Sequence, residues 1–207
     1  MRACGHITDT YARSLKSGHT LFHQGDTADQ LYEVVRGVVR LERVLLNGRR
    51  QVMSFGYAGD IVGFPHDGLH NSTCMMITPG IVISHRVDAL ENTSSDSDLH
   101  QRVFEAALAE IGVLHDHFQA LGCCSAMERV AGFLSQLVDR IGVDAHGQTV
   151  VHLPMCRSDI ADYLGLSTET ISRMVSQLRA MHVISLTDVQ TVIVQNATKL
   201  SMLAEGE

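Results

Sequence analysis

From Phe104 onward, apolar residues recur at Leu108, Ile111, Leu114, Phe118 and Leu121, at spacings of three and four. That period belongs to a helix with one apolar stripe, sustained here over about five turns. A stripe of this length must be covered, either by a domain folded against it or by a second copy of the same helix. A long helix joining two differently patterned regions favours the second, so a homodimer is expected on residues 98–122, in the manner of a coiled coil. The dimerisation segment as a whole is placed at 95–124, with those six residues as its interface.

The two flanks differ in pattern. Between Gly18 and Arg86 the chain reads as short strands, "HTLFHQGD", "QLYEVVRGVVRLERVLL", "RRQVMSFGYAGDIVGF" and "CMMITPGIVISHR", punctuated by Gly, Asp and Pro. Asn47-Gly48 is a hairpin signal, because both residues tolerate positive φ. This flank is a β-domain, a roll or a barrel. The polar stretch "ENTSSDSD", Glu91 to Asp98, is turn-forming and offers an N-cap to the long helix. From Ser125 the chain becomes mainly helical, with "AMERVAGFLSQLVDRIG" closing at Gly142, followed by a polar turn and then "MCRSDIADYLGLSTETISRMVSQL". The tail gives two short β-branched runs around "TDVQ" and a last short helix, an order that suggests a winged helix-turn-helix. The expected architecture is α+β: a β-domain over 1–94, a helix over 95–124 and a winged helix-turn-helix over 125–207.

Composition narrows the function. Apolar residues are 45% and charged residues 19% of the 207, but no run approaches the roughly 18 apolar positions of a membrane span. The N-terminus lacks the apolar region of a signal peptide, so a cytoplasmic protein without membrane association is expected. Cys4, Cys74, Cys123, Cys124 and Cys156 are scattered, with no C-x-x-C pair for zinc or a disulfide framework. Vicinal Cys123-Cys124 reads as a hinge rather than a strained disulfide. The net charge of −7 argues against indiscriminate nucleic-acid binding, which scales with the phosphates that Lys and Arg neutralise. Any such function must be local.

One helix has the residues for it. With Ser167 as N-cap and 100° per residue, Ile171, Met174, Val175 and Leu178 fall on one side. Glu169, Ser172, Arg173 and Ser176 fall on the other, as one polar face. The preceding helix, 158–164, turns Ile160, small Ala161 and Leu164 inward, and Gly165 breaks the chain between the two. A polar face of this kind suits a DNA major groove, where Arg pairs with guanine, a carboxylate accepts from cytosine N4, and serine reaches thymine or phosphate. Ser167, Thr168, Thr170, Ser176 and Arg157 surround that face and are assigned to the DNA backbone.

With "GDIVGF", "LYEVVRGVVRLERVLLNGRRQV" and "SDIADYLGLSTETISRMVSQL" arranged in this order around a long helix, nearly the whole chain resembles the CRP/FNR superfamily of bacterial transcription regulators. The "ETISR" core is similar to its FNR and FixK branches. The resemblance implies an N-terminal β-roll of the jelly-roll kind, a dimerisation helix, and surfaces that contact RNA polymerase. It implies base reading by Glu169, Ser172 and Arg173 on a TTGA-N6-TCAA-like palindrome, by an activator. His182 departs from the pattern, since many relatives carry glycine there, and histidine enters the left-handed region at more cost.

The signal is read from what the β-domain holds. Gly63 is followed by Phe64, and no Lys or Arg occurs between Arg50 and Arg86, so the cation a cyclic nucleotide phosphate needs is missing. An FNR-type iron-sulfur cluster wants three closely spaced N-terminal thiolates, and only Cys4 lies there. No cofactor and no metal are expected. The alternative is a haem- or small-ligand-sensing regulator that uses His19, His23, His66, His70 or His85. Without an effector the chain reads as FixK-like, acting in an oxygen-limited gene programme such as nitrogen fixation or respiration. Cys156 adds a candidate redox switch: a helix N-terminus and Arg157 both favour its thiolate, against a bland role packed under the helix. A cupin-type metalloenzyme needs H-x-H on strands, and the one such motif, His115-Asp116-His117, is helical, where two histidines two apart diverge. No catalytic residues, and no enzyme, are expected.

Overall fold

The computed structural model describes residues 12–87 and 97–206, so Cys4 and positions 91–96 of the expected polar turn lie outside the described residues. The chain forms two compact units, Met1–Val44 with Met53–Ala109, and Leu45–Val52 with Glu110–Glu207.

Eight short strands run β1 (Ala12–Leu15), β2 (Thr20–Phe22), β3 (Gln30–Arg36), β4 (Val39–Val44), β5 (Arg50–Gly56, whose first three residues are counted with the second unit), β6 (Ile61–Val62), β7 (Thr73–Met76) and β8 (Gly80–Arg86). They form two four-stranded sheets ordered β1-β8-β3-β6 and β2-β7-β4-β5. Both sheets supply the core: Val34, Tyr32 and Val82 from one, Val39, Leu41, Cys74 and Met76 from the other. The fold is thus the expected β-roll, but the strand runs are shorter than their hydrophobicity suggests. The run 30–46 divides at Gly37, whose φ of 95° and close approach to Gly80 leave no room for a side chain; a Cβ there would lie 2.9 Å from the Gly80 Cα. The run 49–64 divides at a turn in which the Tyr57 N–H donates to the Asp60 carboxylate at 2.8 Å. At the β4–β5 hairpin only Gly48 takes positive φ, and the Leu45 N–H reaches the Arg49 carbonyl at 2.9 Å, a wider loop than a two-residue turn.

Helix α1 (Ser97–Cys123) runs through the segment expected to dimerise and has no buried residue along its 27 positions. In the second unit it is followed by α2 (Ala126–Ile141), β9 (Val143–Ala145), β10 (Gln148–His152), α3 (Arg157–Leu164), α4 (Thr168–Ala180), β11 (Ile184–Leu186), β12 (Thr191–Val194) and α5 (Ala197–Ala204). Helix α2 starts in a reciprocal capping box between Ser125 and Glu128 and buries Val130, Ala131, Phe133, Leu134 and Leu137. The polar turn expected after Gly142 is instead the hairpin β9–β10, part of a sheet ordered β11-β12-β10-β9. Every residue of β9 is exposed, so it carries no hydrophobic alternation from which a strand can be read. The wing, β11 and β12, follows the two β-branched runs.

Candidate nucleic-acid interface

Helix α4 is anchored from three directions. At its start the Ser167 hydroxyl accepts the Thr170 N–H at 3.1 Å, as an N-cap. Along its inner side Ile171, Met174, Val175 and Leu178 are buried. At its end the Met181, His182 and Val183 N–H groups close onto the Gln177, Arg179 and Leu178 carbonyls at 2.9 to 3.0 Å. His182 does take the left-handed conformation, with φ of 55°, and the chain still passes directly into β11.

Glu169, Ser172, Arg173 and Ser176 are all exposed on the opposite side, so the fold holds these four together as one accessible surface. The Glu169 carboxyl is held below its ordinary pKa by a backbone N–H of the first turn and then by the Ser167 hydroxyl, which keeps it an acceptor. The Ser172 hydroxyl donates to the Thr168 carbonyl at 2.9 Å and Ser176 to Ser172 at 2.8 Å. Their protons are therefore occupied, and what they present outward is lone pairs. Among the backbone-assigned residues, Ser167 and Ser176 are exposed, while Thr168, Thr170 and Arg157 are half-buried. Arg157 donates to the Val189 carbonyl at the tip of the wing at 3.4 Å, and burial lowers its pKa. Cys156 is the N-cap of α3, exposed, with its sulfur 3.0 Å from the Ser158 hydroxyl and no side-chain capping bond.

Helix α3, which supports α4, is held by contacts that no local pattern announces. Asp159 is a buried carboxylate with a side chain only 5% exposed, and Arg50 lies 2.8 Å from it. The Arg50 Nε also donates to Asp162 at 2.9 Å, and the Gln51 amide donates to the Asp162 carbonyl. Removing an ionic partner from a buried carboxylate is costly. Arg50→Ala is expected to destabilise the second unit by about 3 kcal/mol, the low end for a buried pair because the guanidinium is 32% exposed. Urea unfolding followed by helical circular dichroism measures it, and an unchanged midpoint would show the pair to be inconsequential.

Arg129 of α2 donates to three carbonyls: Leu121 and Cys124 at the end of α1, and Leu164 at the end of α3, at 2.9 to 3.2 Å. Cys123 and Cys124 are free thiols at this junction, not a disulfide. Gly165 takes φ of 63° between α3 and α4, with the Leu121 side chain 3.1 Å from where a Cβ would be. The His117 ring stacks on Tyr163 at 4.2 Å, its pKa lowered by burial and then by Arg129, whereas His115 is exposed.

The other histidines divide similarly. His19, His23 and His66 are exposed. His70 is buried and stacked on Phe22 at 3.7 Å, and His85 is buried with its Nε2 3.0 Å from Glu33, which also binds Arg102. On α1, Phe104, Leu108, Ile111, Leu114 and Phe118 are exposed, Phe104 at 64% and Phe118 at 77%, while Leu121 is half-buried.

Residues 128–203 match the Crp-like helix-turn-helix domain family, and residues 12–96 match the cyclic nucleotide-binding domain family. The nitrogen fixation regulation protein FixK of Rhizobium meliloti (strain 1021) is 35% identical over 188 residues, covering 91% of this chain and 84% of the relative. The transcriptional activator protein FnrL of Cereibacter sphaeroides is 30% identical over 195 residues, 92% of this chain and 79% of the relative. Among solved structures, FixK2 from Bradyrhizobium japonicum superposes with a TM-score of 0.84 at 30% identity, over 94% of this chain and 96% of that one.

Proposed function

Because the chain belongs to the CRP/FNR family of transcription regulators, we propose that it acts as a homodimeric activator placing two copies of α4 in successive major grooves of a TTGA-N6-TCAA-like palindrome. The observation that carries this reading is the face of Glu169, Ser172 and Arg173, exposed together on a helix whose other side is buried through Ile171 and Leu178. The proposed pairings are Arg173 with guanine, Glu169 with cytosine N4, and the outward lone pairs of Ser172 with a base amino group. Ser167, Thr168, Thr170, Arg157 and Ser176, the last with its hydroxyl turned from the Ser172 carbonyl, would hold the register on the backbone. The half-site centres of such a palindrome lie about 10 base pairs apart, one helical turn, the spacing two symmetry-related recognition helices require.

Dimerisation follows from the exposed stripe Phe104, Leu108, Ile111, Leu114 and Phe118, which a second copy of α1 would cover. Contact with RNA polymerase completes the activator role. Likeness to a nitrogen fixation regulator and to an activator supports an oxygen-limited gene programme as its setting. A gel-shift with the palindrome against scrambled duplex, across a range of salt, tests the reading. A preference of at least about 10³ is expected for the palindrome. Equal affinity for the two would overturn it.

Cys156 adds a redox layer to this proposal. Its exposed thiol stands at the N-cap position of α3 beside Arg157, near where the proposed complex would place DNA phosphates. Attack of the thiolate on peroxide would form an S–O bond, break the O–O bond and release hydroxide, leaving a sulfenic acid; a second oxidation adds negative charge. Peroxide is expected to weaken DNA binding by the wild type and to leave Cys156→Ser unaffected. If both weaken equally, the switch lies elsewhere.

A further inference from the structure

A second feature of α4 lies beyond the base-reading face. A surface depression of about 420 Å³ opens between the end of α4 and the start of the wing, with Ser176, Arg179, His182, Ser185 and Gln195 around Ile184. In a chain of net charge −7, three basic side chains gather at this end: Arg179, His182 and Lys199, one of the chain's two lysines, whose ammonium lies 3.5 Å from the Met181 carbonyl. The carbonyls of Gln177, Leu178 and Arg179, which would give a helix C-terminus its negative character, are each taken by a backbone N–H. The cationic donors left at this end are the exposed Arg179 guanidinium and the Lys199 ammonium.

His182 strengthens the case independently. It holds φ of 55°, a conformation glycine adopts freely and an L side chain does not, yet an imidazole is kept there and lines the depression. Strain of this kind is retained where the surroundings or the function require the side chain.

Position then identifies the occupant. Ser176 and Ala180 continue the helical face of Glu169 and Arg173, and ten residues separate Glu169 from Arg179, about 15 Å along the axis. The major groove is about 12 Å wide. A helix reading bases with its first two turns therefore carries its last turn out over the sugar-phosphate strand. We infer that the depression bounded by Arg179, His182 and Ser185 seats a backbone phosphate of duplex DNA flanking each half-site. This rests on the base-reading assignment of α4 and adds to it a sequence-independent anchor, the share of affinity that phosphate contacts supply.

The test uses the full chain with the TTGA-type palindrome and a scrambled duplex, at several salt concentrations. Arg179→Ala is expected to lower affinity for both duplexes about tenfold and to reduce the slope of log K against log salt by about 1 per half-site, with the ratio between duplexes preserved. His182→Gly, which relieves the left-handed strain, is expected to raise the melting temperature while lowering DNA affinity. If both variants keep wild-type affinity and slope while the palindrome is still preferred, the phosphate seat is wrong and base reading stands. If Arg179→Ala collapses the ratio, Arg179 reads bases and the seat is also wrong. Unchanged DNA binding with lost transcription would assign the depression to a protein partner instead. A wild type without preference removes the base-reading assignment and the seat together.

Discussion

Arg173→Ala is expected to cost the protein its sequence preference while leaving weak, salt-sensitive binding in place. A bidentate arginine–guanine pair is worth roughly 1–3 kcal/mol of base discrimination, and a symmetric dimer makes it twice. The loss for the palindrome is then about 2–6 kcal/mol, roughly 30-fold to more than 10⁴-fold, against little change for scrambled duplex. The fold should be indifferent, because the side chain is exposed and the helix is held from its other side by Ile171, Met174, Val175 and Leu178. Parallel titrations of the two duplexes, with circular dichroism as a check on folding, give the answer. A uniform loss across both sequences would move Arg173 from the bases to the backbone.

Breaking the α1 stripe is expected to do comparable damage by another route. Leu108→Glu with Ile111→Glu places four carboxylates across a two-copy interface, at positions that are each 53% exposed and so contribute little to the folding of a single chain. The variant should sediment as a monomer and retain its helical signal. Its affinity for the palindrome should fall by about 10²–10⁴, because each half-site contact is then made by a separate molecule and effective concentration is lost. Continued dimerisation in sedimentation would show that the stripe packs on something else.

The two predictions draw on residues whose roles are unequally visible in a sequence. The faces of α4 follow from a 100° step and a capping serine, so the burial of Ile171 and Leu178 and the exposure of Glu169 and Arg173 are legible before any fold is known. The stripe from Phe104 to Phe118 is legible for the same reason. Strands were less so. The runs around Gly37 and Tyr57 divide where turns interrupt continuous hydrophobicity, and β9, with no buried residue, leaves no pattern at all.

The serines illustrate an intermediate case. Spacing places Ser172 and Ser176 on the polar face, but only the folded helix shows their hydroxyl protons already donated to Thr168 and Ser172, which changes what they offer a base from donor to acceptor. His182 is similar: the residue stands out in the sequence as a histidine in a glycine position, while its place beside Arg179 and Lys199 depends on how the wing and α5 return to the end of α4.

The sequence by itself determined the elements with a period: a long apolar stripe, the two-faced helix α4 and a β-rich N-terminal domain, because repeated burial on one side writes the same residue class at regular steps. Only the tertiary structure decided the contacts without one. Arg50 meets Asp162 across 112 positions of chain, Arg129 gathers the carbonyls that end α1 and α3, and the basic depression assembles from α4, the start of the wing and Gln195 after β12. Such contacts are single pairings between distant residues. Their identity depends on which surfaces packing brings within hydrogen-bond reach, and no local spacing encodes that.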